Sequence, residues 1–132
     1  MPTVLIVDDS DSVRASVRAL FEAEPDFTVV GEAVNGLDAI NKAEELAPDL
    51  IILDLSMPIM NGLEAAEALK ATSPATPIYI LTAHGGPEVD RAARAAGVDA
   101  VFSKGEALDA MLAKAREAFR LKNHTKKPPK KT

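Results

Sequence analysis

Five short apolar runs divide this chain, and each is followed by a stretch in which apolar residues recur every three to four positions. The runs are Val4–Val7, Phe27–Val30, Leu50–Leu53, Pro77–Leu81 and Asp99–Ser103. Continuous rather than alternating apolar runs predict strands covered on both faces. Between them, Val13, Val17, Leu20 and Phe21 fall at helical spacing after Ser10, a residue suited to an N-cap, with Asp11 in the first turn. Pro25-Asp26 ends that helix, and Gly31-Glu32-Ala33 leads the chain away from the second strand. Asn35-Gly36 opens a helix with Leu37, Ile40, Ala43 and Leu46 or Ala47 inward, and Pro48 stops it. Leu63, Ala66, Leu69 and Lys70 mark a third helix that ends near Ser73-Pro74. Glu88–Ala96 is Ala- and Arg-rich with Gly97 as its C′ residue. It has few large apolar side chains and is expected to be the least firmly packed helix. Leu108, Met111, Leu112, Ala115 and Phe119 form the inward stripe of the last.

A fivefold β-α alternation predicts a single α/β domain, doubly wound, with a five-stranded parallel sheet between two helical layers. In such sheets ligands bind beyond the carboxyl ends of the strands. Asp8-Asp9, Asp54, Thr82 and Lys104 each follow an apolar strand run, so all are expected at that one edge. One polar residue at a strand end means little. Three acids, a hydroxyl and an ammonium converging on one edge predict a site. Clustered carboxylates repel and drive one another toward protonation unless a cation relieves them. Mg²⁺ fits, because it takes hard oxygen ligands, commonly one or two carboxylates plus phosphate oxygens. Lys104 and Thr82 suit phosphoryl oxygens, and an Asp carboxylate can itself accept a phosphoryl group. The expected chemistry is a Mg²⁺-dependent phospho-acceptor site with Asp54, on the central strand, as acceptor and Asp8-Asp9 toward the metal.

Composition narrows the classes. The chain has 132 residues, 47% hydrophobic and 27% charged, enough for one domain with a real core. There is no cysteine, which excludes disulfides, Cys-based zinc sites and thiol catalysis, and two histidines are too few for a His-rich metal site. No apolar run reaches the length of a transmembrane helix, and the start lacks the basic region of a signal peptide, so a cytoplasmic protein without membrane contact is expected. The net charge of −5 is uneven: residues 122–132 carry five lysines and no acid, leaving 10 basic against 20 acidic residues, a net −10, in residues 1–121. That acidity argues against direct nucleic-acid binding by the folded part. Residues 122–132 are expected to form a basic, disordered tail or the start of a linker.

Asp8-Asp9 after Val4–Val7, the segment Asp54-Leu-Ser-Met-Pro-Ile-Met-Asn-Gly-Leu-Glu64, Thr82-Ala83 and Lys104 together resemble the receiver domain of two-component response regulators, over about residues 3–120. The resemblance implies a flavodoxin-like sheet in the order 2-1-3-4-5. It implies phosphoryl transfer to Asp54 from the phospho-His of a histidine kinase or phosphotransfer protein. It implies Mg²⁺ bound by Asp9, Asp54 and the backbone carbonyl of Ser56, with Asp8 acting through water, and phosphoryl oxygens held by Thr82 and Lys104. Ser56 and His84 match positions that tune how long the phosphoryl group lasts. Phosphorylation would shift an equilibrium felt on the face of the fourth helix, fifth strand and fifth helix. Two departures stand out. Gly105 follows Lys104 where the family usually has Pro, and Val101 stands where an aromatic residue is frequent. Phe102 falls on the opposite face by strand alternation, so a signal would have to travel through backbone and helix movement.

The functions expected are a phospho-switch that changes binding to an output protein or, as the alternative, the N-terminal receiver fragment of a DNA-binding response regulator whose effector domain lies elsewhere. Neither is an enzyme beyond catalysing its own phosphorylation and dephosphorylation. An Asp-nucleophile phosphatase would want a second Asp two residues after the nucleophile, where Ser56 stands. Glu88, Asp90, Arg91, Arg94, Lys114 and Arg116 would suit a homodimer face on the fourth and fifth helices, although solvated helices carry the same residues.

Overall fold

A computed structural model describes residues 1–55, 61–83, 85–103 and 108–119. Strands β1 (Thr3–Val7), β2 (Thr28–Ala33), β3 (Leu50–Asp54), β4 (Ile78–Thr82) and β5 (Ala100–Ser103) alternate with helices α1 (Asp11–Glu22), α2 (Gly36–Leu46), α3 (Gly62–Thr72), α4 (Pro87–Ala95) and α5 (Leu108–Ala118). The strands pair in the order β2-β1-β3-β4-β5, all parallel, the order that the family resemblance implies.

The continuous apolar runs have a direct structural cause. Successive strand residues point to opposite faces, and here both faces are covered. Leu5, Val7, Ile51, Leu53, Ile78 and Ile80 pack on one side with Ala39, Ala43, Ala65, Ala66, Leu69 and Ala93 of α2, α3 and α4. Val4, Ile6, Leu50, Ile52, Tyr79 and Leu81 pack on the other with Val17, Phe21, Met111 and Ala115 of α1 and α5. The same alternation carries Val101 to the first side, whereas Phe102 lies on the second, its ring centroid 5.8 Å from that of Tyr79. Among the described residues no helix is long and apolar enough to cross a membrane.

Caps set the helix boundaries. The Ser10 side chain accepts from the Val13 N–H, and that of Asn35 from the Asp38 N–H. Asn61 and Glu64 form a reciprocal capping box at α3. At the end of α4 the Val98 N–H reaches the Ala93 carbonyl and the Gly97 N–H that of Arg94, with Gly97 at φ +94°. This is the Schellman closure that a C′ glycine allows. Only Ala93 of α4 is fully buried, in keeping with the weak packing expected of that helix.

Three expectations are corrected. Gly31-Glu32-Ala33 continues β2 instead of leaving it, because a bulge between Val4 and Leu5 in the β1 register lets β2 resume pairing at Gly31. Leu37 is 52% exposed: Ala43 is buried and Ile40 and Leu46 pack against the core as expected, but α2 turns Gly36 and Ala39 rather than Leu37 to the sheet, and these small residues bring the helix close. Arg116 is not a free surface charge of α5. Its guanidinium is bound within the chain to Glu24 at 2.6 Å and Asp26 at 3.0 Å, and only 12% of its side chain is exposed.

Helix α2 ends on Ala47 in the left-handed conformation, φ 47° and ψ 59°. The Ala47 N–H closes on the Ala43 carbonyl, and Pro48 has no N–H with which to add a second closing bond. A left-handed alanine costs about 1 kcal/mol that glycine avoids. Ala47→Gly is therefore expected to raise stability by about 0.5–1 kcal/mol in urea denaturation, the opposite of the loss that glycine causes in a helix interior.

Candidate functional site

The acidic residues meet because of the register of the central strands. Val7 pairs with Leu53, so Asp8, the next residue, lies beside Asp54, the last of β3. Asp54 pairs in turn with Leu81, which puts Thr82 one step further along the same edge, and Thr82 pairs with Ser103, the residue before Lys104. Asp8, Asp54 and Thr82 are the buried polar side chains among the described residues, while Asp9 is exposed at the rim. Carboxylate oxygens of Asp8, Asp9 and Asp54 all lie within 4.8 Å of one another. Lys104, Ser56 and His84 fall outside the described residues.

Asp8 is fixed on several sides. Its N–H donates to the Ala33 carbonyl at 3.0 Å, and its Oδ1 accepts from the Ser10 N–H at 2.9 Å. Its own carbonyl accepts from Arg14 Nη1 at 2.7 Å. Arg14 also donates through Nε to Glu32 at 2.8 Å and through Nη2 to Asp11. Arg18 Nη1 takes the second oxygen of Glu32 at 2.7 Å. Burial pushes the Glu32 carboxyl up, but hydrogen bonds from Arg14 and Arg18 outweigh it and hold the group below its ordinary value. Burial likewise pushes the Arg14 guanidinium down, and its bonds to Glu32 and Asp11 more than reverse this.

The donor set fits a hard divalent cation. All three groups are carboxylates, and oxygens around an octahedral Mg²⁺ stand about 3–4 Å apart. The observed spread reaches that range with small shifts, or with one carboxylate bound through water. A cation there would also relieve the mutual repulsion of three acids, two of them buried.

Gly62 belongs to the segment that carries the family resemblance, and the structure gives the physical reason for a glycine there. It is the first residue of α3, and its N–H donates to the Leu55 carbonyl at 2.8 Å. A Cβ placed on it would overlap the Asp54 carbonyl oxygen and stand 2.6 Å from the Leu55 Cα. These are backbone atoms, so no rotamer change relieves the clash. The absence of a side chain lets the start of α3 sit directly against the end of β3. The pairing of Arg14 with Glu32 was not legible in the sequence, because the two lie eighteen residues apart on different elements.

Residues 4–116 match the family model described as "Response regulator receiver domain". The chain belongs to this receiver family. Relatives of the receiver include the protein-glutamate methylesterase/protein-glutamine glutaminase 1 of Methanosarcina acetivorans, 40% identical over 97 residues, which are 72% of this chain and 28% of that protein. The nitrate/nitrite response regulator protein NarL of Escherichia coli is 52% identical over 71 residues, 54% of this chain and 33% of NarL. The receiver thus spans about a third or less of these curated relatives. Among solved structures, the response regulator domain of Thermotoga maritima CheB superposes with a TM-score of 0.84 at 29% identity, covering 93% of this chain and 99% of that one.

Two outcomes follow. Gly62→Ala is expected to cost about 2–3 kcal/mol or more in chemical denaturation and to shift the backbone amide NMR signals of Asp54 and Leu55. Glu32→Gln is expected to cost about 1–2 kcal/mol at pH 7, discounted for the partial exposure of Glu32. Because the folded-state value of Glu32 lies below the ordinary 4.5, its contribution is complete above that pH and is lost as pH falls through the folded value. The stability gap between wild type and Glu32→Gln should therefore close as urea midpoints are followed from pH 7 down to pH 3.

Proposed function

We propose that this receiver is a phospho-switch in which Asp54 accepts a phosphoryl group. The observation that carries this reading is the convergence of Asp8, Asp9 and Asp54 within 4.8 Å at the carboxyl edge, with Asp54 and Thr82 buried. Asp54 presents a carboxylate oxygen at the end of the central strand, aimed at the crevice where this fold binds its ligands. That oxygen attacks the phosphorus of a phospho-His on a histidine kinase or phosphotransfer protein. The P–O bond forms as the P–N bond breaks, the imidazole leaves with a proton, and Asp54 becomes an acyl phosphate. Asp9 and Asp54, with the Ser56 carbonyl, would hold a Mg²⁺, which would supply charge neutralisation for the incoming phosphoryl oxygens. Asp8 would serve the metal through a water. The Thr82 hydroxyl donates to one phosphoryl oxygen, and Lys104 pairs with another. Ser56 and His84 set the rate at which water removes the group.

The chain acts catalytically only on its own phosphorylation state. Residues 1–121 form the switch and residues 122–132 a basic tail or linker start. The output is a change in binding, either to a separate protein or to an effector domain. The second version is favoured by relatives such as NarL, a response regulator about three times the matched length. In that reading the receiver contacts no nucleic acid itself, and DNA binding belongs to the effector.

Intact mass after incubation with acetyl phosphate tests the chemistry, with and without Mg²⁺, on wild type and Asp54→Asn. The expected result is an alkali-labile gain of one phosphoryl group that needs Mg²⁺ and disappears in the variant. A gain retained by Asp54→Asn would reassign the acceptor, and no gain under any condition would leave a receiver fold that works by binding alone.

A further inference from the structure

One cation outside the acidic cluster holds the backbone between two of its members. Arg14 lies in the second turn of α1, with 12% of its side chain exposed. Its three nitrogens reach three separate elements: Nη2 the Asp11 carboxylate in the first turn of α1, Nε the Glu32 carboxylate near the end of β2, and Nη1 the carbonyl oxygen of Asp8 just past β1. That carbonyl belongs to the peptide plane joining Asp8 to Asp9. Because the peptide unit is planar, fixing the direction of its C=O fixes the direction in which the chain leaves toward Asp9. Asp8 is held at its N–H and at its carboxylate as well. Asp9, by contrast, is exposed, and the placement of its carboxylate depends on the backbone that delivers it.

We propose that Arg14 is a positioning residue for the divalent-cation site: by clamping the Asp8 carbonyl from an anchor on Glu32, it keeps the Asp9 carboxylate within reach of Asp54. This rests on the reading of the acidic triad as a Mg²⁺ site. The effect is geometric rather than electrostatic. A lone guanidinium near three carboxylates would compete with the metal, but Asp11 and Glu32 face Arg14 and Arg18, so the four charges cancel. Glu32 is the anchor because its two oxygens are held by two arginines, which leaves it one orientation from which to aim Arg14.

Removing Arg14 outright would mix two opposed effects, a gain from the lost positive charge and a loss from the loosened peptide. Arg14→Lys separates them, since it keeps the charge and removes the fork: one ammonium cannot reach three divergent acceptors in fixed directions. The full chain is titrated with Mg²⁺ by calorimetry and by amide NMR, with the melting temperature in EDTA recorded for each variant. Wild type should bind Mg²⁺, and Arg14→Lys should raise the Kd about tenfold, the range seen when an outer partner of a metal ligand is lost. Glu32→Gln should raise it by a smaller factor, about threefold. It is the fallback if Arg14→Lys does not fold in EDTA. Arg18→Lys shares Glu32 but does not touch Asp8, and should stay within about twofold of wild type. The NMR shifts that separate Arg14→Lys from wild type should centre on the Asp8 and Asp9 amides. An unchanged Kd in both Arg14→Lys and Glu32→Gln overturns the positioning role, as does an equal loss in Arg18→Lys, which would make the effect one of general stability. A wild type that binds no Mg²⁺ would instead overturn the metal reading on which the role rests.

Discussion

The constraint on which the structure turns is the cost of holding three carboxylates together at the edge of a buried sheet. Two of them, Asp8 and Asp54, are almost fully withdrawn from solvent. Charges so placed are tolerated only where other groups fix and compensate them. The surrounding architecture answers that demand piece by piece. Parallel pairing of β1 with β3 sets Asp8 beside Asp54. The Ser10 N–H, at the N-cap of α1, satisfies one oxygen of Asp8. Gly62 allows the start of α3 to seat against the Asp54 backbone. The Arg14–Glu32–Arg18 network then braces the peptide that leads to Asp9. Three acids gathered this closely are costly to assemble, and a cation among them would lower that cost.

Much of this was legible in the sequence because it is local. Continuous apolar runs such as Leu50–Leu53 can be satisfied only by a sheet covered on both faces, and the position of Asp54 at the end of such a run follows at once. Gly97 announced a helix end because only glycine adopts its backbone conformation cheaply. What was not legible depends on register and distance. Whether Gly31 ends β2 or continues it is decided by a bulge across the β1–β2 pair, which no reading of either strand alone contains. Leu37 looks inward by spacing, but the close approach of α2 to the sheet favours Gly36, Ala39 and Ala43 on the buried face. Arg116 looks like a surface charge until the turn holding Glu24 and Asp26 folds back beside α5, some ninety residues away in sequence.

The two faces of the sheet are packed with different materials. On the side of α1 and α5, Phe27 meets Phe21 and Phe119 in edge-to-face contacts with centroids 5.2 and 6.3 Å apart, and Tyr79 lies against Phe102. Each buried ring among these, Phe21, Phe27 and Tyr79, anchors its element by about 1.5–3 kcal/mol of burial, with more from ring geometry. On the other side the helices present mostly alanines, with Leu69 of α3 and partly buried Ile40, Leu46 and Leu63, and α4 presents essentially one alanine, Ala93. A buried methyl group contributes about 0.8 kcal/mol, several-fold less than a ring. Displacing α4 is therefore far cheaper than displacing α1 or α5.

This asymmetry bears on how a change at Asp54 would be felt elsewhere. Thr82 closes β4, pairs with Ser103 and lies at the same edge as the acids, so a phosphoryl group held there, as proposed, would act on the ends of β4 and β5 together. The aromatic side chain of β5, Phe102, is locked with Tyr79 on the rigid face and has no path to α4. Val101, on the α4 side, is β-branched and stiff at χ1, and has no large rotamer swing to offer. What remains free to answer is the β4–α4 backbone, where Gly85 and Gly86 precede a helix held by little more than Ala93, Ala96 and Val98. Under the proposed function, a change at Asp54 would reach the surface through the seating of α4 rather than through the flipping of a ring.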